Sequence, residues 1–447
     1  MRNLSLLFLI LLPQTFYSQN YTPKDVEKYK QICREHIVQD YKGMFKAPKG
    51  VLEYPYITPG SNEYATQLWD WDSWFTSIAL EQIVKDNGTE KDQLEARTYQ
   101  QGCVLNFLNY QHNGWVPIMI SHNSPPLREF LPENPHAVNK HKPMLAQQAA
   151  FIIKNNDGDA DWLLPKFADL QYFVNHYIHH QKHRATGLYF WFDDVAIGVD
   201  NDPATFYRPE RSSANIFLNC LMYKELTAME YLCERLNMAE TGVFYKKEAE
   251  AVKNAIQEHC WDEWTGYFYS VDLNLMPIKI PEKGKTLHSG GPRTYDCLIQ
   301  RIHSWTGFMA MWAGIATEEQ AERMMVHFND TTTLNSNYGI RTLSKLEKMY
   351  DVRATGNPSS WLGPIWGISN YIVFRSLLNY GYEDEAQEMA EKTIMLFGRD
   401  FEKNGALHEY YLPDSGMPVL NKGFQNWNYL VMNMAAWLDT KESVTEW

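Results

Sequence analysis

Three segments of the chain set carboxylates beside aromatic rings or in polar loops. The first is Trp69-Asp70-Trp71-Asp72-Ser73-Trp74-Phe75. A solvated surface does not use this many indoles, and a plain core does not bury two carboxylates beside them unpaired. Indole faces and carboxylates together suit a sugar, whose ring stacks while its hydroxyls donate to Asp. A helix start capped by Asp70 accounts for that one residue equally well. The second segment, Gly198-Val199-Asp200-Asn201-Asp202-Pro203, runs on as an irregular polar stretch to Arg211 and reads as a loop. A carboxylic acid that must stay protonated needs an apolar or acidic setting, which Asp202 and nearby aromatics would supply to Asp200. The third, Leu407-His408-Glu409-Tyr410-Tyr411 ahead of Pro413-Asp414-Ser415-Gly416, places Glu409 at the rim of a cleft as a general base. Two carboxylates on separate loops facing one cleft are the minimum for glycoside hydrolysis.

The elements that must position these segments read as helices. Val26, Tyr29, Cys33 and Ile37 recur at helical spacing, as do Phe167, Leu170, Val174 and Tyr177. Ile216, Cys220, Tyr223 and Thr227 repeat the rhythm, followed by Ala249, Val252 and Ile256, and by Ala386, Met389, Thr393 and Phe397. Thr317 with Gln320 forms a capping box before Ala321, Met324 and Phe328. Alternating segments are few, with a short β piece expected at 267–271. Many amphipathic helices joined by long loops predict an all-α toroid of inner and outer helices. Two long aperiodic loops, 112–143 and 278–296, are expected over one mouth.

Composition narrows the function further. With 41 basic and 54 acidic residues the net charge is −13, which disfavours nucleic acid and anionic membrane surfaces. Arg2 followed by the apolar run from Leu4 to Pro13 reads as a secretory leader too short to span a bilayer. The expectation is a leader over 1–18, cleaved near Ser18–Gln19, and a single exported catalytic domain over 19–447, periplasmic or secreted and not inserted in a membrane. Six cysteines show no CxxC or ligand spacing and are read as buried thiols. His176, His179, His180 and His183 at a helix end, and the alternating Asp157, Asp159 and Asp161, are read as a solvated terminus and a turn; Trp162 stands where a calcium loop needs glycine. Glycine-rich phosphate loops, GxSxG and HExxH are missing from the sequence. No cofactor or metal is expected, and the partner is a small carbohydrate.

In motif order from Tyr54 to Trp437 the sequence resembles the family 63 glycoside hydrolases, above all the short bacterial mannosylglycerate and glucosylglycerate hydrolases, and more distantly the family 37 trehalases. Trp71-Asp72-Ser73 is similar to the family's Trp-Asp-Ser element, and Gly198–Pro203 to its Gly-x-Asp-Asn-Ser-Pro. Trp361-Leu362-Gly363-Pro364-Ile365-Trp366 resembles Trp-Arg-Gly-Pro-Ile-Trp, and His408–Tyr411 falls where the family places its base, ahead of Phe424 and Trp427. The resemblance implies an (α/α)6 barrel and inverting hydrolysis of an α-glucosidic or α-mannosidic bond. Asp200 would be the acid, Glu409 the base, and Asp72 a ligand of sugar hydroxyls, with the two carboxyls about 6.5–9.5 Å apart. Trp69, Trp71, Trp74, Asn201, Trp361, Gly363, Trp366, Tyr410 and Trp427 are expected around the sugar. Trp162, Trp312 and Trp437 sit on helical faces and read as core. Departures are Leu362 for Arg, Asp202 for Ser, Ala196 for an acidic residue, and Ser212-Ser213 where an Asp is common. Lys142-Pro143-Met144 replaces Gln-Pro-Pro. Lys142 and Arg211 near the mouth would favour an anionic aglycone. A glycan-binding protein on the same scaffold, or a toroid epimerase or lyase, are the alternatives; neither needs both Asp200 and Glu409.

Overall fold

The computed structural model describes residues 21–127, 140–191, 198–206, 208–275, 294–353 and 358–447. The expected leader, Ala196 and most of the second long loop lie outside these residues. Twelve helices run through the described chain: α1 (Pro23–Asp40), α2 (Asp70–Asn87), α3 (Glu90–Tyr110), α4 (Leu145–Lys154), α5 (Phe167–His180), α6 (Ile216–Arg235), α7 (Ala239–His259), α8 (Met309–Trp312), α9 (Glu318–Asn329), α10 (Gly367–Asn379), α11 (Glu383–Asn404) and α12 (Val431–Thr440). Short 3₁₀ segments, Trp305–Phe308 and Asn426–Leu430, lead directly into α8 and α12.

The even-numbered helices form a closed inner ring. α2 packs on α4, α4 on α6, α6 on α8, α8 on α10, α10 on α12, and α12 returns to α2. The odd-numbered helices lie outside, and α1 closes the outer layer by packing on α11 across the length of the chain. Burial separates the two rings. In α1 only Val26, Lys30, Cys33 and Ile37 are buried, a single stripe. In α2 every residue from Asp70 through Leu80 is buried, and in α4 every residue from Leu145 through Ile153. A helix enclosed all round belongs inside a core, and a striped helix belongs on its surface. The architecture is the all-helical (α/α)6-type toroid.

Local chemistry sets many of the ends. Thr22, Thr89 and Thr317 each close a capping box with the residue three positions on, and Gly405 ends α11 at φ 70°. The capping box anticipated at Thr317–Gln320 is present, with hydrogen bonds of 2.9 and 3.2 Å. The start of α4 is capped from a distance. Glu225, mid-helix in α6, accepts from the backbone N–H groups of Ala146 and Gln147, and burial pushes its carboxyl up to about 8.

The β structure is confined to two- and three-stranded pieces. Most of them stitch the loops at the N-terminal ends of the inner helices. Strand Gln67–Trp69 pairs with Met119–Ser121 just before α2. Strand Tyr410–Tyr411 lies between Ile365–Trp366 and Pro418–Val419. The anticipated β piece is present as Tyr267–Phe268 and Val271–Asp272. α5 ends at His180, so His183 lies beyond the helix and bonds Thr186 instead of sharing a face with His176. Asp157 and Gly158 turn the chain between α4 and α5 in left-handed conformations.

Candidate active site

Five of the six inner helices begin on or just after residues that meet at one mouth. Trp71 and Asp72 open α2, Asn215 caps α6, Trp305 leads into α8, Trp366 precedes α10, and Asn426-Trp427 lead into α12. Their rings form one cluster. Trp361 stacks on Trp366 at 4.1 Å and 9°, Trp366 on Tyr410 at 5.1 Å, and Trp305 on Trp361 at 5.9 Å. Trp71 meets Trp427 at 4.7 Å and Trp361 at 5.6 Å. The cluster walls a cleft with about 410 Å³ of empty space, into which Asp72, Asp200 and Glu409 also open. Tyr64, Trp69, Gly198, Ser359 and Phe424 complete the lining. The Trp427 Nε1–H is buried without a partner among the described residues, a donor available to a hydroxyl.

Each carboxylate is held differently. Asp72 accepts from Asn426 Nδ2, and burial together with neighbouring Asp70 holds its carboxyl well above the usual range. Glu409 is 4% exposed. It precedes the strand Tyr410–Tyr411, and its N–H donates to Leu420 O at 3.2 Å. Its oxygens accept from Tyr64 OH at 3.3 Å, Ser359 Oγ at 3.2 Å and Asn421 Nδ2. Burial pushes the Glu409 carboxyl up to about 7; these three donors oppose the shift and the charge of Asp200 adds to it. That proton affinity suits a base working near neutral pH.

The Asp200 loop is pinned on both sides. Asn201 Oδ1 accepts from Trp361 N at 2.6 Å, tying the loop to the indole wall. Asp202 Oδ2 accepts from Asn215 Nδ2 at 2.8 Å, tying it to the cap of α6, and burial pushes the Asp202 carboxyl up to about 6. Gly198, at φ 88°, lies so close to Lys142 that a Cβ there would sit 2.6 Å from Nζ; only glycine fits this bend.

Of the residues singled out in the sequence, Trp69, Trp71, Asp72, Gly198, Asp200, Trp361, Trp366, Glu409, Phe424 and Trp427 meet in the cleft. The other candidates lie outside its lining. Trp74 is fully buried against Phe75 and Phe151 and belongs to the core. Lys142 is fully buried too, its ammonium 2.9 Å from Asp70 Oδ1, so it does not face a ligand. Arg211 is exposed on a left-handed turn outside the lining. Neither of the cations invoked for an anionic aglycone is in the lining of this cleft. Gly363 fits under the Tyr350 ring and donates to Thr342, while Tyr410 braces Trp366 and donates to Pro358 O. Asn201 acts on the wall and not in the cleft. Tyr64, Ser359, Asn421 and Asn426 were not singled out. Tyr64, Ser359 and Asn421 sit in loops and Asn426 opens a short 3₁₀ segment, so no periodicity marks them and only folding brings each to a carboxylate. Among the described residues no group of three or more His, Cys, Asp or Glu is arranged to hold a metal ion.

Residues 65–428 match the mannosylglycerate hydrolase MGH1-like glycoside hydrolase domain. The chain belongs to this family. The match begins just after Tyr64 and ends after Trp427, so it spans every cleft-lining residue except Tyr64. A cytosolic neutral trehalase of Kluyveromyces lactis is 27% identical over 273 residues, 56% of this chain and 31% of that protein. The mannosylglycerate hydrolase MGH1 of Selaginella moellendorffii is 31% identical over 114 residues, 25% of this chain and 20% of that protein. The matched stretches thus span about a third or less of these relatives. The GH63 mannosylglycerate hydrolase of Thermus thermophilus, solved with glucose, has a TM-score of 0.64 at 17% identity, covering 90% of this chain and 99% of that one; it shares the fold. Among the described residues no helix is long and apolar enough to cross a membrane.

Proposed function

We propose that this family member is an inverting glycosidase that hydrolyses the α-glycosidic bond of a small glycoside. The observation that carries the reading is that Asp200 and Glu409, from widely separated segments of the chain, open into one indole-walled cleft. Asp200 protonates the leaving oxygen while Glu409 removes a proton from a water on the opposite face of the ring. Asp72 accepts from hydroxyls of the sugar being cleaved, and the indoles stack on its apolar face. The solved Thermus thermophilus relatives carry glucose in one complex, and Tris with D-glycerate in another, which supports a small substrate. Three carboxylates in the lining favour a neutral, hydroxyl-rich ligand at the sugar end.

The test is turnover of a panel of α-glucosides and α-mannosides, neutral and anionic, with the first-formed anomer read by NMR. The β-anomer is expected first. Release of the α-anomer, or full turnover by both Asp200→Asn and Glu409→Gln, would sink the reading. Export is part of the same proposal and rests on the apolar run after Arg2. Sequencing the N-terminus of protein recovered from the cell envelope and medium tests it: a start near Gln19 supports it, and an intact Met1 removes it.

A further inference from the structure

Tyr64 belongs to no motif, yet its hydroxyl sits against both oxygens of Glu409, at 3.3 Å each. It also accepts from Asn421 Nδ2 at 3.1 Å, and the same amide donates to Glu409 Oε2. Tyr64, Asn421 and Glu409 therefore form a closed triangle.

The backbone is arranged to hold it. Leu420 and Asn421 both adopt left-handed conformations, at φ 61° and 40°. Such strain in non-glycine residues persists only where the surroundings enforce it. Here Leu420 O accepts from the Glu409 N–H, so the strained turn aims the Asn421 amide at the carboxylate one strand away. The Tyr64 loop is stitched to the same stretch. Ser61 N donates to Gly423 O at 2.7 Å and Gln425 N to Pro59 O at 2.9 Å. Gly60 approaches so closely that a Cβ would lie 2.7 Å from Gly423 O. A tyrosine near the start of the fold is thereby fixed against a turn near its end.

We propose that Tyr64, supported by Asn421, is a positioning residue that orients the Glu409 carboxylate and stabilises its charged form for proton abstraction. The proposal rests on the base role of Glu409. A phenol O–H can only donate to a carboxylate or accept from a donor, and with Asn421 supplying the donor its proton is directed to Glu409. Hydrogen bonds to an ionised group are among the stronger ones. Without Tyr64 the buried carboxylate would keep Ser359 and Asn421 but lose its only ring hydroxyl partner among the described residues. The other ionisable groups facing this site are Asp200 from its loop and Asp72 from the start of α2. Asp200 disfavours charge on Glu409, and both acids act on the Tyr64 hydroxyl. The ring of the preceding residue, His408, is turned to Asp400 at 2.9 Å, away from the triangle.

The experiment is a tryptophan-fluorescence titration of the full chain between pH 5 and 9, comparing the parent, Tyr64→Phe and Glu409→Gln. The cleft indoles report the local charge, and the transition absent from Glu409→Gln is that of Glu409. Tyr64→Phe keeps the ring and is expected to move this transition up by roughly one pH unit. The ascending limb of kcat/KM should move up with it. A transition unmoved in Tyr64→Phe, or one missing from the parent, overturns the proposal. The two readings separate cleanly: a fluorescence shift with no turnover of any glycoside keeps the positioning role and removes the base role.

Discussion

The two mouths of the toroid handle buried charge in opposite ways. At the far mouth the residues after α12 pack on the inner helices α2, α6, α10 and α12. Val444 N donates to Gln82, Asn433 donates to Val444 O, and Trp447 packs on Tyr231. Glu446 accepts from Tyr371 OH at 2.9 Å and pairs with Arg375 at 3.2 Å. Burial opposes its ionisation, but Arg375 and Lys224, together with a backbone hydrogen bond and the Tyr371 hydroxyl, hold the carboxyl below its usual range. At the cleft mouth the hydrogen-bond partners of Asp72 and Glu409 among the described residues are amides and hydroxyls, and both carboxyls are pushed up although the Lys142 charge opposes the shift of Asp72. The nearest buried lysine, Lys142, is paired with Asp70. One mouth neutralises its buried carboxylate; the other leaves proton affinity unsatisfied, which is what acid–base chemistry uses.

The sharpest break of this contrast is chemical. Asp200→Asn and Glu409→Gln should each lower kcat/KM by about 10²–10⁴-fold, measured on the best α-glycoside, while the proteins stay folded by circular dichroism. Next, Arg375→Met strands Glu446 and should cost about 3–5 kcal/mol in denaturant unfolding, with the pH profile of turnover unchanged. A shifted profile would mean that the mouths are coupled. Glu409 also gives the contrast a sign. Its carboxyl is raised in the folded chain, so the folded state holds the proton more tightly than the unfolded one. Stability therefore falls as pH rises from the unfolded value near 4.5 to about 7. Glu409→Gln should be more stable than the parent above pH 7, by up to about 3 kcal/mol, and equal to it below pH 4. Thermal unfolding at the two pH values measures this, and an equal Tm at both would refute it. The smallest effect is the parent's own kcat/KM, which should rise with an apparent midpoint near 7 and lose that limb in Glu409→Gln.

The legible part of the fold was the outer layer and the caps. Stripes such as Val26, Cys33 and Ile37 mark one buried face, and a capping box lies within four residues of chain. The inner helices carry weaker signals because they are enclosed all round. α2 mixes buried Asp, Ser, Thr and Gln with indoles, so no period stands out. The site was legible where motifs carry it: Trp71-Asp72, Asp200 and Glu409. Trp74 shows the limit of that reading. It has the same type and neighbourhood as Trp71, but three residues on along a helix it turns to Phe151 and the core.

Sequence alone determined the carboxylates, the indoles and the helical frame, because residue type and spacing are local properties. Tertiary structure decided which charges face the cleft. Lys142 was drawn into a buried pair by Asp70, 72 residues away, and Tyr64 reached Glu409 across 345 residues. Electrostatics depends on distance in space and on burial, and neither is written along the chain.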